Sequence, residues 1–547
     1  MGQVNIGPLV VGLNSTGLTP LQRAGLGGLA ASLFAISQNK NQKHDWPRKI
    51  LLGPGSASVE ADKIFLDWGA GGPGPVLQVL FEASFKIRDG LVYLPGMFRP
   101  GGWSLALGSA LQRALKLTFL QNAKSTRKDG SPRIVTVEPD TDIKVDFTIQ
   151  PYEWFAHQSA WEDVEKSFKK KTKLAGWANP GAVDRHNAFP PTKLVYGPEQ
   201  ILPTLFAIVG CLPFQVTGDA AAGALVIPEP ADLIEFGEIR ASLTPGLARE
   251  VYAAGTSDAV LLASLSWKAA RSNLTGIQAL HGVSFRSTPW ASQQKIRVST
   301  VRLLDPADAG YRKILVQYER VCSKLKTRVI VRKPPETTGK KTGKSKSAGV
   351  SESSGYFAEA SVLRGFIAEN LAAGKPWYHG FATARVGLKR PRYVHFYRKE
   401  DNKGALVPSE KEGLWIMIET AEQREKLLIE SVHTALRRRF GAICKEADEL
   451  PEQTRENRFK SERERWRLAF AKAKTPDQVR AALANLWSRA GLVKELQENW
   501  QVILPLLHSS QWATARDLAL VALASYRGKG VEDETSNEET TDENIGT

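Results

Sequence analysis

Leu18-Thr19-Pro20-Leu21-Gln22-Arg23-Ala24-Gly25-Leu26-Gly27-Gly28-Leu29-Ala30-Ala31-Ser32-Leu33 reads as the opening of a helix built almost wholly from small and apolar side chains. Thr19-Pro20 sets an N-cap hydroxyl before a proline in the first turn, and the helix is expected to run to about Ser37. Each glycine in a helix interior costs about 1 kcal/mol. Gly25, Gly27 and Gly28 therefore point to very close packing of this helix against another backbone.

Around it the first 330 residues alternate strand-like and helical stretches. Ile64 to Trp68, Ile134 to Val137, Lys144 to Ile149 and Ile296 to Leu304 show the β-branched enrichment or alternation of strands. Helices are expected at Ser104–Leu120, Trp161–Lys171, Glu199–Val209 and Asp258–Ala270. No fixed βαβ period links them, which gives an α+β body over residues 1–333. Residues 334–355, PPETTGKKTGKSKSAGVSESSG, hold no apolar side chain but Ala348 and Val350 and read as a flexible basic linker. Residues 356–416 read as strands at Trp377–Val386, Tyr393–Tyr397 and Leu414–Ile418, the first two forming a hairpin that completes the body.

From 417 the pattern turns helical. Leu428, Val432, Leu436 and Phe440 recur at helical spacing, as do Phe459, Trp466 and Phe470. Thr475-Pro476-Asp477 is a helix start, Val479, Leu483, Leu486 and Ala490 share a face, and Gly491 stands where a C′ glycine belongs. A last helix runs from Trp512 to Tyr526. Residues 417–530 thus predict an antiparallel helical bundle, followed by an acidic tail at 531–547.

Charge narrows the function. The 547 residues contain 73 Lys+Arg against 57 Asp+Glu, a net +16. Seven of those acids lie in the last 17 residues, so the rest of the chain carries +23. Such an excess predicts a polyanionic partner, nucleic acid above all. Cys211, Cys322 and Cys444 are odd in number and widely spaced, which fits a reducing cytoplasm and no disulfide framework. The N-terminus has no secretory pattern, and the longest apolar run, Ile201 to Phe214, is interrupted by two prolines and too short to span a bilayer. No membrane association is expected.

Catalytic and nucleotide motifs are poorly represented. Gly339-Lys340-Lys341-Thr342-Gly343-Lys344-Ser345 has three residues between its glycines where a phosphate-binding loop needs four. His44-Asp45 is an isolated His-Asp pair without the further ligands a metal nuclease requires. No catalytic residue, metal site or cofactor is expected.

Basic clusters carry the positive signal. Lys166, Lys169, Lys170, Lys171 and Lys173 have no acidic residue among them, so they are candidate phosphate ligands rather than a compensated helix face. From Arg312 to Lys346 there are twelve basic and two acidic residues. Arg437, Arg438 and Arg439 form a further phosphate-binding candidate, with Arg455, Arg458, Arg463, Arg465 and Arg467 on the next helix. Arg392, Tyr393 and Tyr397 are candidates for stacking on RNA or DNA bases, Tyr393, His395 and Tyr397 sharing one strand face; an inward-packed amphipathic strand is the alternative. Lys268, Arg271, Asn273, Gln278, Arg286, Gln293 and Lys295 form a polar stretch of the types that read base edges.

The segment Leu18–Leu33 resembles the opening of the large subunit of a type I CRISPR Cascade complex, MYXAN subtype. Length, basic α+β body and helical C-terminal region agree with it. The resemblance implies a non-catalytic subunit at the 5′ end of the guide RNA, beside the backbone subunits. It implies a protein that reads a protospacer-adjacent motif in target double-stranded DNA and wedges the strands apart to form an R-loop. The C-terminal bundle would guide the displaced single strand. It would also present a surface to a helicase-nuclease in antiviral defence, or to a transposition adaptor in Tn7-like systems. Some relatives make their helical small subunit by internal initiation, which singles out Met417 as a candidate internal start. A basic nuclease and an RNA-associated scaffold are the competing readings.

Overall fold

The computed structural model describes residues 6–527 apart from 39–45, 47, 122–124, 175, 181–194, 218–221, 272–275, 291–292, 298–299, 305–308, 333–354, 387–391, 396–405, 408–409 and 447–450. His44-Asp45, the linker up to 354 and the acidic tail lie outside the described residues. The helices in chain order are α1 (Pro20–Gln38), α2 (Pro73–Ser84), α3 (Leu105–Leu117), α4 (Trp161–Lys169), α5 (Pro198–Gly210), α6 (Leu233–Ile239), α7 (Thr256–Arg271), α8 (Ala309–Lys324), α9 (Val362–Ala372), α10 (Glu410–Glu419), α11 (Gln423–Glu446), α12 (Glu452–Lys472), α13 (Pro476–Ala490), α14 (Lys494–Ile503) and α15 (Trp512–Ser525). They divide between two compact units, Met1–Val316 with Lys326–Ala360, and Gln317–Leu325 with Ser361–Thr547. The class is α+β with a helical C-terminal region, as the sequence predicts.

In the first unit α1 begins with a reciprocal cap. Thr19 Oγ1 accepts from the Gln22 N–H at 3.3 Å, and Gln22 Oε1 accepts from the Thr19 N–H at 2.9 Å. The glycines then do what their spacing predicts. A Cβ on Gly25 would stand 1.8 Å from the Pro203 carbonyl oxygen of α5, and one on Gly28 2.2 Å from that of Phe206. From the other side, a Cβ on Gly210 would stand 1.8 Å from the Ala24 oxygen. The two helices meet backbone to backbone, and Gln22 Nε2 crosses the seam to Thr204 Oγ1 at 3.2 Å. Gly27 makes room for the Phe236 ring of α6. The C-terminal end of α5 is capped by Arg240, a fully buried guanidinium that donates to the Val209 and Cys211 carbonyls at 2.6 and 2.8 Å.

Two sheets flank this helical core. One is antiparallel, in the order Leu9–Gly12, Lys63–Asp67, Gly55–Val59, Ile50–Leu52. The other has six strands, in the order Tyr252–Ala253, Leu212–Val216, Ala222–Pro230, Ile277–Trp290, Gln293–Arg297, with Thr300–Leu304 also on Ile277–Trp290. Its first pair is parallel and the rest antiparallel. The stretch Ile296–Leu304, expected as one strand, is therefore two. Arg133–Asp140 and Ile143–Ile149 form a longer hairpin than expected, turning at Asp142 with φ 63°. Helix α4 stops at Lys169, because Lys170 is extended (φ −159°, ψ 134°) and Thr172–Lys173 pairs with Val195–Tyr196.

In the second unit α15 is buried on every side from Ala515 to Ser525, a stretch apolar but for Arg516, Asp517 and Ser525. Helices α10, α11, α12 and α13 pack on it. The Asp517 carboxylate of α15 accepts from the Gly380 and Ala382 N–H groups at 2.7 and 3.0 Å, Glu425 of α11 from the Tyr378 hydroxyl, and Glu410 of α10 from Ser361 Oγ and the Leu363 N–H. These buried acceptors tie residues 361–382 to the helices, and the second unit accordingly takes in the chain from Ser361 on; residue 417 lies inside α10. Leu414–Ile418 is helical and not a strand. Its buried neighbours Glu410, Gly413, Leu414, Met417 and Ile418 follow the 3.6-residue period, which five residues alone are too few to display. Trp377–Val386 is mostly turns, held by Asn370 Nδ2 donating to the Trp377 and His379 carbonyls at 2.9 Å, and only Arg385–Val386 pairs with Arg392–Tyr393. Helix α13 has the expected ends, Thr475 capping Gln478 at 3.3 Å and Gly491 at φ 77°.

Gly28→Ala places a methyl inside the Phe206 carbonyl and is expected to lower unfolding stability by about 1–3 kcal/mol or more. Gly441→Ala on α11, where nothing lies within 4 Å of the new Cβ, should instead raise it by about 0.5–1 kcal/mol. Urea denaturation of both variants checks the pair.

Candidate nucleic-acid interface

Lys166 pairs with Glu162 at 3.3 Å and reaches Asp163 at 4.0 Å, both one turn back on α4. The expectation that this cluster lacks local compensation fails for Lys166, because its acidic partners precede it rather than lying within the cluster. Lys169, Lys170, Lys171 and Lys173 are exposed, and no carboxylate among the described residues pairs with them. They are four exposed ammonium groups within five residues, at and just beyond the end of α4.

The arginine triplet of α11 divides in the same way. Arg437 and Arg438 are exposed. Arg439 is not free: its Nε donates to Glu462 of α12 at 3.1 Å, with the two side chains 22% and 10% exposed. Glu462 also accepts from the Trp466 indole at 3.0 Å. Arg439 is thus a clamp between two helices, set by a carboxylate 23 positions away. On α12 Arg467 is spent on Glu464 at 2.6 Å and on His395 Nε2 at 2.9 Å. Burial, followed by the Arg467 charge, pushes the His395 imidazole down to about 4 and keeps it neutral.

The Tyr393 ring is 37% exposed and already engaged. The Arg385 guanidinium lies 4.3 Å from its centroid and the His395 ring 5.0 Å. Arg392 is half-buried beside it, in the short strand paired with Arg385–Val386. His395 lies in a turn and is buried, so it does not continue a strand face from Tyr393; Tyr397 lies outside the described residues.

The seven base-reading candidates do not form one loop. Lys268 and Arg271 sit on the last turns of α7, and Asn273 lies outside the described residues. Gln278 is exposed at the start of the 14-residue strand Ile277–Trp290, and Arg286 lies eight positions further on. At a rise of about 3.3 Å per residue, those two are about 26 Å apart. Arg286 is the last residue of this strand paired to the body of the sheet, opposite Ala222. Beyond it the strand pairs, among the described residues, with Gln293–Arg297 alone, as a two-stranded ribbon. The register sets Arg286 opposite Arg297, Thr288 opposite Lys295 and Trp290 opposite Gln293. Arg297 completes the set. Its place in an alternating Gln-Lys-Arg strand was the signal for it.

No group of three or more His, Cys, Asp or Glu among the described residues could hold a metal ion. No helix among them is long and apolar enough to cross a membrane.

Comparison with known proteins settles the family. Residues 10–205 match the DevT N-terminal domain, and residues 418–546 match the DevT C-terminal domain. Over 531 residues the chain is 45% identical to the CRISPR-associated protein Cas8a1/Csx13 of Myxococcus xanthus (strain DK1622), covering 96% of this chain and 90% of that protein. The chain belongs to the Cas8a1/Csx13 family. The resemblance drawn from Leu18–Leu33 is borne out: this is a Cascade large subunit of the MYXAN type. As a member of the Cas8a1/Csx13 family it works within a CRISPR-associated assembly with other Cas proteins.

Arg439→Ala leaves the Glu462 carboxylate buried without its cation and is expected to cost about 1–3 kcal/mol of unfolding free energy. Arg438→Ala, on an exposed side chain, should change it by less than about 0.5 kcal/mol. Urea melts of the full chain separate the structural arginine from the solvent-facing one.

Proposed function

We propose that this chain is the target-recognition subunit of an RNA-guided complex, binding double-stranded DNA, reading its protospacer-adjacent motif and opening the R-loop. The observation that carries this reading is the ribbon 286–297. It extends beyond the sheet and brings Arg286, Gln293, Lys295 and Arg297 together. A two-stranded ribbon is one of the shapes a DNA major groove admits, and Arg, Lys and Gln are the types that bind base edges bidentately. The guide RNA and the backbone subunits hold the chain in place, and base pairing supplies most of the sequence specificity. Lys169, Lys170, Lys171 and Lys173, with Arg437 and Arg438, neutralise phosphates without sequence preference. The C-terminal unit follows the displaced strand beside a helical small subunit and recruits a helicase-nuclease or a transposition adaptor. The subunit works in the cytoplasm and performs no covalent chemistry itself.

Alanine at Arg286, Gln293 or Lys295 is expected to cost about 1–3 kcal/mol of DNA binding and to relax the preference at one position of the motif. Glutamate at Lys169, Lys170 and Lys171 should instead weaken all sequences alike, lowering the log–log salt slope by about 0.9 for each phosphate no longer neutralised. Binding of the assembled complex to a randomised-motif duplex library at two salt concentrations checks both. An unchanged motif preference in every ribbon variant excludes the ribbon as reader.

The match to the DevT C-terminal domain opens at residue 418, one position after Met417. We also propose a second product of the same gene, initiated at Met417 inside α10 and serving as the helical small subunit. Met417 is fully buried on α10, and Met417→Leu, which keeps its volume, should cost the full chain less than about 1.5 kcal/mol. Complexes purified from cells carrying this substitution should lack the small subunit. Mass spectrometry that still finds one matching residues 418–527 rules the internal start out.

A further inference from the structure

Between α13 and α14 the second unit carries a groove of about 620 Å³. Arg480, Ala484 and Trp487 line it from α13, at positions i, i+4 and i+7, and Leu496, Trp500 and Leu504 from α14 and the turn after it, at i, i+4 and i+8. The α13 set is one face of its helix, whereas the α14 set runs past a kink at Asn499 (φ −124°, ψ 20°) into the 3-10 turn Leu504–Leu507. Ala484, the smallest of them, sits midway along the α13 face. Trp500 and Leu504 are 41% and 42% exposed. Scattered apolar side chains are ordinary on a surface, whereas two exposed ones on the wall of one groove, Trp500 and Leu504, mark an interaction site. The indole N–H of Trp487 has no acceptor among the described residues.

We propose that the α13–α14 groove docks an amphipathic helix of a partner protein, apolar on the docked face and acidic where it meets Arg480. The shape argues for a helix. Two adjoining helices with ridges at i and i+4 present the furrow into which a third helix packs. The straight wall is α13, along which Arg480 to Trp487 spans about 10 Å, close to two turns. Charge argues for the acid. Arg480 is the one cation in the lining, alongside His508 and with no carboxylate. Its bond to Asp477 is a loose 3.7 Å to a side chain 91% exposed. Nucleic acid fits less well: Arg480 is the one cation in the lining to meet a phosphate, and Lys494 alongside is already paired with Glu498. None of these residues belongs to the clusters assigned to DNA, so the docking site stands whether or not the chain reads a motif.

The probe is a fluorescein-labelled designed helix of about 14 residues, roughly four turns, with Leu and Trp on one face and Glu at the end meant for Arg480, together with a twin carrying Lys in place of Glu. Titrated against the full chain, the Glu peptide should saturate and bind more tightly than the Lys twin. Trp500→Glu and Leu504→Glu, both on exposed side chains, should each weaken it at least tenfold. Leu51→Glu, an exposed apolar residue of the first unit, should leave it unchanged. Arg480→Glu should reverse the preference between the twins. The proposal is overturned if a scrambled peptide binds equally well, or if Leu51→Glu weakens binding as much as Trp500→Glu. It is also overturned if oligothymidylate displaces the peptide, which assigns the groove to single-stranded nucleic acid. Self-association that disappears in Trp500→Glu overturns it too, assigning the groove to a second copy.

Discussion

Helices α1 and α5 touch main chain to main chain, and most of the first unit is arranged around that contact. With no Cβ at Gly25, Gly28 and Gly210, carbonyl oxygens of each helix occupy the space a side chain would take in the other. Such an approach fixes both the axial register and the rotation of α1. Its opposite side then receives Phe236 at Gly27, and its N-terminal turn is tied to the six-stranded sheet by Arg23, which donates to Glu229 at 2.7 Å. Glu229 is also bound by His281 on the neighbouring strand, and the two partners hold its carboxyl below the ordinary carboxylate range despite burial. One helix therefore sets the position of the sheet from which the ribbon extends.

The second unit is held by a different device. Its core helix α15 has no polar face, so direction and register come from buried acceptors instead. Asp517, Glu425 and Glu410 each bind donors from residues 361–382. A buried carboxylate is costly without donors and strongly directional with them. Residues that read as strands completing the body consequently fold with the helices.

The basic surface follows from which cations find a carboxylate. Lys166, Arg439 and Arg467 do; Lys169, Lys170, Lys171, Lys173, Arg437 and Arg438 are exposed and find none among the described residues. Composition alone registers all nine as equal contributions to the +16.

The sequence by itself determined the features that depend on neighbours a few residues away. The glycine spacing of α1 foretold a backbone contact, Thr475-Pro476 and Gly491 bounded α13, the excess of Lys and Arg pointed to a polyanion, and Leu18–Leu33 was enough to suggest the family. Tertiary structure decided what depends on distant partners. Leu414–Ile418 became helix because Glu410 and Gly413 extend its buried period beyond the apolar run. Gln278 and Arg286, neighbours in a polar stretch, were carried about 26 Å apart by one continuous strand. Arg439 parted from Arg437 and Arg438 because Glu462, on the next helix, faces only one of the three. A side chain's type is written in the chain, but whether its charge is spent depends on which carboxylate folding brings beside it.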